Sequence, residues 1–147
     1  MRLTRFTDYS LRVLIYLGQN NEGRVTIHQI AEAYDISKNH LMKVVSNLTH
    51  LKFVLAQRGP GGGIQLNHLP KDISIGEVIR NTEKHLRERP AEYAITGVEA
   101  TADARLGKIL QHAMQAYLSE LDRFTLANVL ESENNIAQLL ELNGQAA

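Results

Sequence analysis

Thr26-Ile27-His28-Gln29-Ile30-Ala31-Glu32-Ala33-Tyr34-Asp35-Ile36-Ser37-Lys38-Asn39-His40-Leu41-Met42-Lys43-Val44-Val45-Ser46-Asn47-Leu48-Thr49-His50-Leu51 holds two helical periods joined at one corner. Thr26 with Gln29 three residues on is a capping box, and Ile27, Ile30, Ala31 and Tyr34 supply the inward side of a short helix. Asp35-Ile36 makes a tight corner, and Ser37 caps a second helix running to about Leu51. Leu41, Val44, Val45, Leu48 and Leu51 follow the 3.6-residue period, so one face is apolar and the other polar. Two helices joined by a tight turn are the helix-turn-helix unit, whose second helix enters the DNA major groove.

Working outward, Thr7 and Asp8 open an earlier helix with Leu11, Leu14, Ile15 and Leu17 as its stripe, and Gly18 stops it. Beyond the motif, Phe53-Val54-Leu55-Ala56 and Ile64-Gln65-Leu66 read as two strands about Arg58-Gly59-Pro60-Gly61-Gly62-Gly63, a β-hairpin. Ser74 and Glu77 form a further capping box that opens a helix to about Lys84. From His85 to Ala102 the period fades into an irregular connector interrupted by Pro90 and Gly97. Asp103 then caps a long helix to about Phe124, a rod of roughly 33 Å at ~1.5 Å per residue. Thr125 restarts a short helix to about Leu130, and the tail Asn134–Leu142 is weakly helical.

The order helix, helix, turn, helix, hairpin predicts a mainly α fold with a small β-hairpin wing: a winged helix-turn-helix domain plus a long C-terminal dimerisation helix. The expected division is 1–84 for the DNA-binding domain, 85–102 for the connector, and 103–147 for the dimerisation helix and tail. Leu106, Ile109, Leu110, Ala113, Met114, Tyr117, Leu118 and Leu121 form a broad stripe that a homodimer would cover, although such a stripe can also pack on its own domain.

Composition narrows the function. The 147 residues are 44% hydrophobic, which excludes a disordered chain, and no apolar run is long enough for a membrane span or a secretory signal. A cytoplasmic location is therefore expected. The net charge of zero hides an asymmetry: residues 1–84 carry 11 Lys/Arg and 7 Asp/Glu, residues 85–147 carry 5 and 9. The front half suits a polyanion and the back half does not. No paired carboxylates, nucleophile–base pair or phosphate loop stands at a useful spacing, so no enzymatic activity is expected. The glycine-rich tip lacks the Lys-Ser or Lys-Thr and the following helix of a nucleotide-binding loop.

The candidate contacts with double-stranded promoter DNA are Thr26 at the head of the motif and Ser37, Lys38, Asn39, His40, Lys43 and Asn47 on the second helix. Arg58, Gly59 and Gly61 join them at the hairpin tip. These types donate to phosphates or purine edges, the glycines allow close backbone approach, and Arg58 suits a narrow minor groove. The plainer reading is a solvated helix face and a flexible turn; a winged-helix protein-interaction module without DNA binding is the alternative function.

The opening Leu3-Thr4-Arg5-Phe6-Thr7-Asp8-Tyr9-Ser10-Leu11-Arg12-Val13-Leu14-Ile15-Tyr16-Leu17 carries a more specific signal, as do Ile36–Val45, Arg58–Gly63, Ile75–Arg80 and Arg105–Ala127. Through them the chain resembles the bacterial winged helix-turn-helix regulator family that contains NsrR and IscR, its nitric-oxide-responsive NsrR members above all. The resemblance implies a homodimeric repressor paired through the long helix on a palindromic promoter element. It also implies base contacts near Ser37, Asn39 and Lys43, with Arg58 in the minor groove.

Relatives that sense nitric oxide, iron or redox state hold an iron–sulfur cluster on connector cysteines. This chain has no cysteine, and Ala94 and Ala100 stand with the separation of two such ligands. Alanine offers iron nothing in place of a thiolate, so no cofactor is expected. Disulfides and zinc ribbons are excluded with it. His85, Glu88, Glu92, Glu99, Asp103 and His112 are metal ligands by type but show no ligand spacing, and His28, His40, His50 and His68 are scattered. Asp8 matches a position that helps ligate the cluster in some relatives, yet a first-turn acid explains it equally. Without a cluster, the open alternatives for an effector are an unidentified small molecule in a pocket beneath the connector, a partner protein, or none.

Overall fold

The computed structural model describes residues 2–87 and 102–131. Helix α1 spans Arg5–Gln19, α2 Ile27–Tyr34 and α3 Lys38–His50. Strands β1 (Val54–Gln57) and β2 (Gly63–Leu66) pair antiparallel, with Val54 opposite Leu66 and Gln57 opposite Gly63. A 3-10 turn at Pro70–Asp72 leads into α4 (Ile75–Thr82), followed by α5 (Lys84–Arg87), α6 (Ala102–Asp122) and α7 (Leu126–Leu130). This is the predicted mainly helical winged fold. The tail Asn134–Leu142 and most of the connector lie outside the described residues.

Several boundaries move for identifiable reasons. The cap of α1 is Thr4, not Thr7: Thr4 is extended and its hydroxyl accepts from the Thr7 amide at 3.3 Å, while Thr7 is buried in the first turn. Gly18 does not stop α1, which ends at Gln19 with Asn20 as its cap. Glycine is tolerated there for room, since a Cβ would meet Leu130 of α7. The buried stripe is Val13, Leu14 and Leu17, with Leu11 and Ile15 half-buried. The first strand begins one residue late because Lys52, at φ 63°, turns the chain and leaves buried Phe53 outside the ladder. Helix α4 closes at Thr82, short of Lys84, and only half of its box forms: Ser74 accepts from the Glu77 amide. Helix α6 starts at Ala102, so Asp103 is a first-turn acid rather than a cap, and ends at Asp122 before Phe124.

Other expectations stand. Thr26 and Gln29 close a full capping box, Asp35 turns the corner in the left-handed region at φ 51°, and Thr125 caps α7 reciprocally with Asn128. The α3 positions Leu41, Val44, Val45 and Leu48 are buried, with Leu51 half-buried at the edge. They meet Val13 and Leu14 of α1, Ile30 of α2, Val54 and Ile64 of the hairpin, and Val78 of α4 in one core. Leu126, fully buried, joins this core, so the short helix after the long one packs in the body of the winged domain. A bridge between Val25 and Ile64 ties the wing to the segment before α2. The scaffold thus fixes both α3 and the hairpin on one body.

Candidate nucleic-acid interface

Helix α3 presents its polar side because its apolar side is fully used by the core. Ser37, Lys38, Asn39, His40 and Lys43 are all exposed. Ser37 takes the cap position without bonding an amide of the first turn, and that turn has no acidic residue, unlike α1 with Asp8 and α4 with Glu77. The free amides and the positive end of the helix macrodipole therefore remain available to an anion. His40 is braced by Tyr9 of α1, ring centroids 6.3 Å apart. Among the described residues, no hydrogen bond or ion pair engages the side chain of Lys38, Lys43 or Arg58.

Two of the expected contacts are placed differently. Asn47 is half-buried with Oδ1 enclosed and unpartnered, because it lies where the polar face turns toward the core. Thr26 is exposed, but its amide donates to Gln29 Oε1 at 2.8 Å and its hydroxyl accepts from the Gln29 amide at 3.3 Å. Its polar atoms thus serve the cap. Conversely, Met42 is 50% exposed and lines an open groove with Lys43, Ser46, Asn47 and His50. An apolar side chain on this face suits a thymine methyl group. Met42 carries no polar group, so nothing in the sequence marks it as a DNA contact.

The wing tip is built around backbone that only glycine adopts easily. Gly59, Gly61 and Gly63 have φ of 91°, 71° and 144°, and Gly62 donates to the Gly59 carbonyl at 2.9 Å. A Cβ on Gly62 would collide with the Gln57 carbonyl oxygen. Arg58 therefore sits on a closed, narrow tip, exposed to solvent. Arg24, also missed from sequence, lines a shallow groove on the wing with Leu55, Ala56, Gln57 and Gln65.

Away from this face, the stripe of α6 divides. Leu106, Ile109, Leu110 and Met114 are 49%, 64%, 46% and 37% exposed, and Ala113 is exposed beside them. Tyr117, Leu118 and Leu121 are half-buried, on the part of the helix that runs beside α4. Here lies a buried carboxylate that no local pattern flags. Glu83 is 1% exposed; Thr4 donates to its Oε1 from the amide at 2.7 Å and the hydroxyl at 3.1 Å. His85 Nδ1 stands 3.2 Å from Oε2. Burial alone would push this carboxyl up, but the Thr4 amide, the Thr7 and Thr4 hydroxyls and the His85 charge together hold it below the ordinary 4.5. Tyr117 is pushed up by burial and by the Glu83 charge.

Asp8 is paired with Arg12 at 2.9 Å, and the Arg12 guanidinium lies over the Tyr34 ring, 5.4 Å from its centroid. Among the described residues no group of three or more His, Asp or Glu is placed to hold a metal ion, and no helix is long and apolar enough to cross a membrane.

Comparison with known proteins agrees with this geometry. The HTH-type transcriptional regulator NsrR of Bacillus subtilis is 44% identical over 144 residues, covering 97% of this chain and 99% of the relative. NsrR of Bacillus licheniformis is 42% identical over 146 residues. Among solved structures, CymR (YrzC), the global cysteine regulator of B. subtilis, superposes with a TM-score of 0.70 at 25% identity, over 88% of this chain and 96% of that one. The Rrf2 family, described as an iron-dependent transcriptional regulator, matches residues 3–132. With its helix-turn-helix, its glycine-built wing and near full-length likeness to NsrR, the chain belongs to the Rrf2 family of winged-helix DNA-binding transcriptional regulators.

Proposed function

We propose that the chain is a cytoplasmic, dimeric repressor that recognises a palindromic promoter element and works without an iron–sulfur cluster. The observation that carries this reading is the exposed trio Lys38, Lys43 and Arg58, unpaired among the described residues and distributed over α3 and the wing tip. Lysines at the start and middle of α3 meet phosphates flanking the major groove, while Asn39 and Met42 face base edges. Arg58 enters the adjacent minor groove, where a narrow width concentrates negative potential. Pairing through Leu106, Ile109, Leu110, Ala113 and Met114 presents two such corners to DNA, about one duplex turn (~34 Å) apart or a multiple of it.

The family description names iron, but the donor set of this chain does not fit an iron–sulfur cluster. It has no cysteine, and Asp8 is occupied by Arg12. Of the ligand types expected near the connector, Glu88, Glu92 and Glu99 lie outside the described residues, and His85 stands against Glu83. Imidazole and carboxylate are harder donors than the thiolates that hold such clusters. No step of the proposed function is routed through one.

The test is equilibrium binding to duplexes selected from genomic fragments. Affinity should fall steeply with salt, and Arg58→Ala should weaken binding by about 1–3 kcal/mol with a shallower salt slope. Salt-independent binding, or none to any fragment, would refute the reading.

A further inference from the structure

Two junctions far apart in sequence are stitched together where the long helix meets the winged body. The Ile75 amide donates to the Phe124 carbonyl at 2.9 Å, and the Leu126 amide donates to the Ile73 carbonyl at 2.8 Å. Ser74 and Thr125 thereby form an isolated antiparallel bridge. Asp122, the last residue of α6, sits over the first turn of α4. Its Oδ2 accepts from Arg80 at 2.7 Å, and its Oδ1 accepts from the Ser74 hydroxyl at 3.3 Å.

Gly76 makes this seat possible. It is buried, its φ is not in the left-handed region, and a Cβ there would overlap Asp122 Oδ1 and stand 2.8 Å from the Asp122 amide nitrogen. Glycine is therefore required for space, not for backbone conformation. Arg80 lies one helical turn beyond on the same face of α4, so a single face supplies both the gap and the cation. The Asp122 contacts are polar and directional, whereas Tyr117, Leu118 and Leu121 are only half-buried and α6 has no fully buried side chain. The angle at which α6 leaves the body is consequently set at this end.

We propose that Gly76, Arg80 and Asp122 form a positioning joint that fixes the direction of α6 and so the separation of the two recognition helices. This rests on the dimeric DNA-binding reading above. The lever is long: the 21 residues of α6 span about 31 Å. A tilt of roughly 10° at the joint moves the far end by about 5 Å, more than the ~3.4 Å rise of one base pair. A small error at Gly76 is therefore read at the DNA as a change in half-site spacing.

The experiment measures binding to a duplex series carrying the selected half-sites at the native spacing and at one and two base pairs shorter or longer. A single half-site duplex and urea denaturation accompany it. For Gly76→Ala and Asp122→Ala we expect the wild-type preference for native spacing to shift or flatten by roughly tenfold, with half-site affinity held within about twofold. Arg80→Lys, which keeps the cation, should retain more of the preference than Arg80→Ala. Asp122→Ala introduces no clash, so it decides the matter if Gly76→Ala fails to fold. A uniform loss at every spacing, or an unchanged profile in Asp122→Ala, overturns the joint. A wild-type chain that selects no duplex, or binds as a monomer, instead refutes the regulator reading on which the joint depends.

Discussion

Ile109→Ala isolates the role of the open half of α6. Ile109 is 64% exposed, the most open of the large apolar side chains on that helix, and lies outside the core formed by the described residues. Full burial of such a side chain is worth about 1.5–3 kcal/mol. Roughly two-thirds of that, about 1–2 kcal/mol per copy, is still to be gained when a partner covers it. Truncation to alanine removes most of the side chain, and two-fold symmetry applies the loss twice. The expected weakening of the dimer is therefore about 1.5–3 kcal/mol, or roughly 10- to 150-fold in dissociation constant. Sedimentation equilibrium across a concentration series reads this directly. DNA titration adds a second reading: affinity for the full palindrome should fall while a single half-site is bound as before. An unchanged dimer constant would show that another surface pairs the chains, and the assignment of Leu106, Leu110 and Met114 to the interface would fall with it.

Two further outcomes concern stability. Leu126→Ala should cost about 2–5 kcal/mol in urea denaturation, because this fully buried residue of α7 sits in the core beside α1; an unmoved midpoint would detach α7 from the folded body. Glu83 ionises below the ordinary 4.5 in the folded chain, so its stabilising contribution is present above that value and is lost as pH falls through the lowered folded pKa. The wild-type advantage over Glu83→Gln should therefore shrink in denaturation curves taken from pH 6 downward through about pH 3, and an advantage that grows on acidification would reverse the assigned sign.

What was legible in the sequence was local. The α3 period, the capping box at Thr26, the helix start at Thr125 and the glycine tip are patterns confined to a few residues and stand in place, while the box at Ser74 forms only in half. Errors arose where two local signals competed. Thr4 and Thr7 are both acceptable caps, and the choice between them depends on Glu83, which is bonded to Thr4 across 79 residues of chain. Gly18 reads as a stop and Gly76 carries no signal of its own inside the Ser74–Glu77 box, yet each is a place where another helix comes too close for a side chain. The stripe on α6 was found whole, but its division between own-domain and open halves depends on where α4 lies. Long-range approach, rather than propensity, is what a single sequence conceals.

Asp8 shows how one carboxylate can steady the motif from outside it. Its carboxylate holds Arg12, which lies over Tyr34 at the end of α2. Both partners of that ion pair are nearly half exposed, 44% and 45%, so water and salt screen it and its energetic value is small, about 0–1 kcal/mol. Its effect is directional instead: it fixes a flat cation against the ring of Tyr34, which also meets Tyr16 edge-on at 6.1 Å. That places a brace between α1 and the first helix of the motif, immediately before the corner that aims α3. The Asp8 carboxylate is, in this chain, part of the stand on which the recognition helix rests.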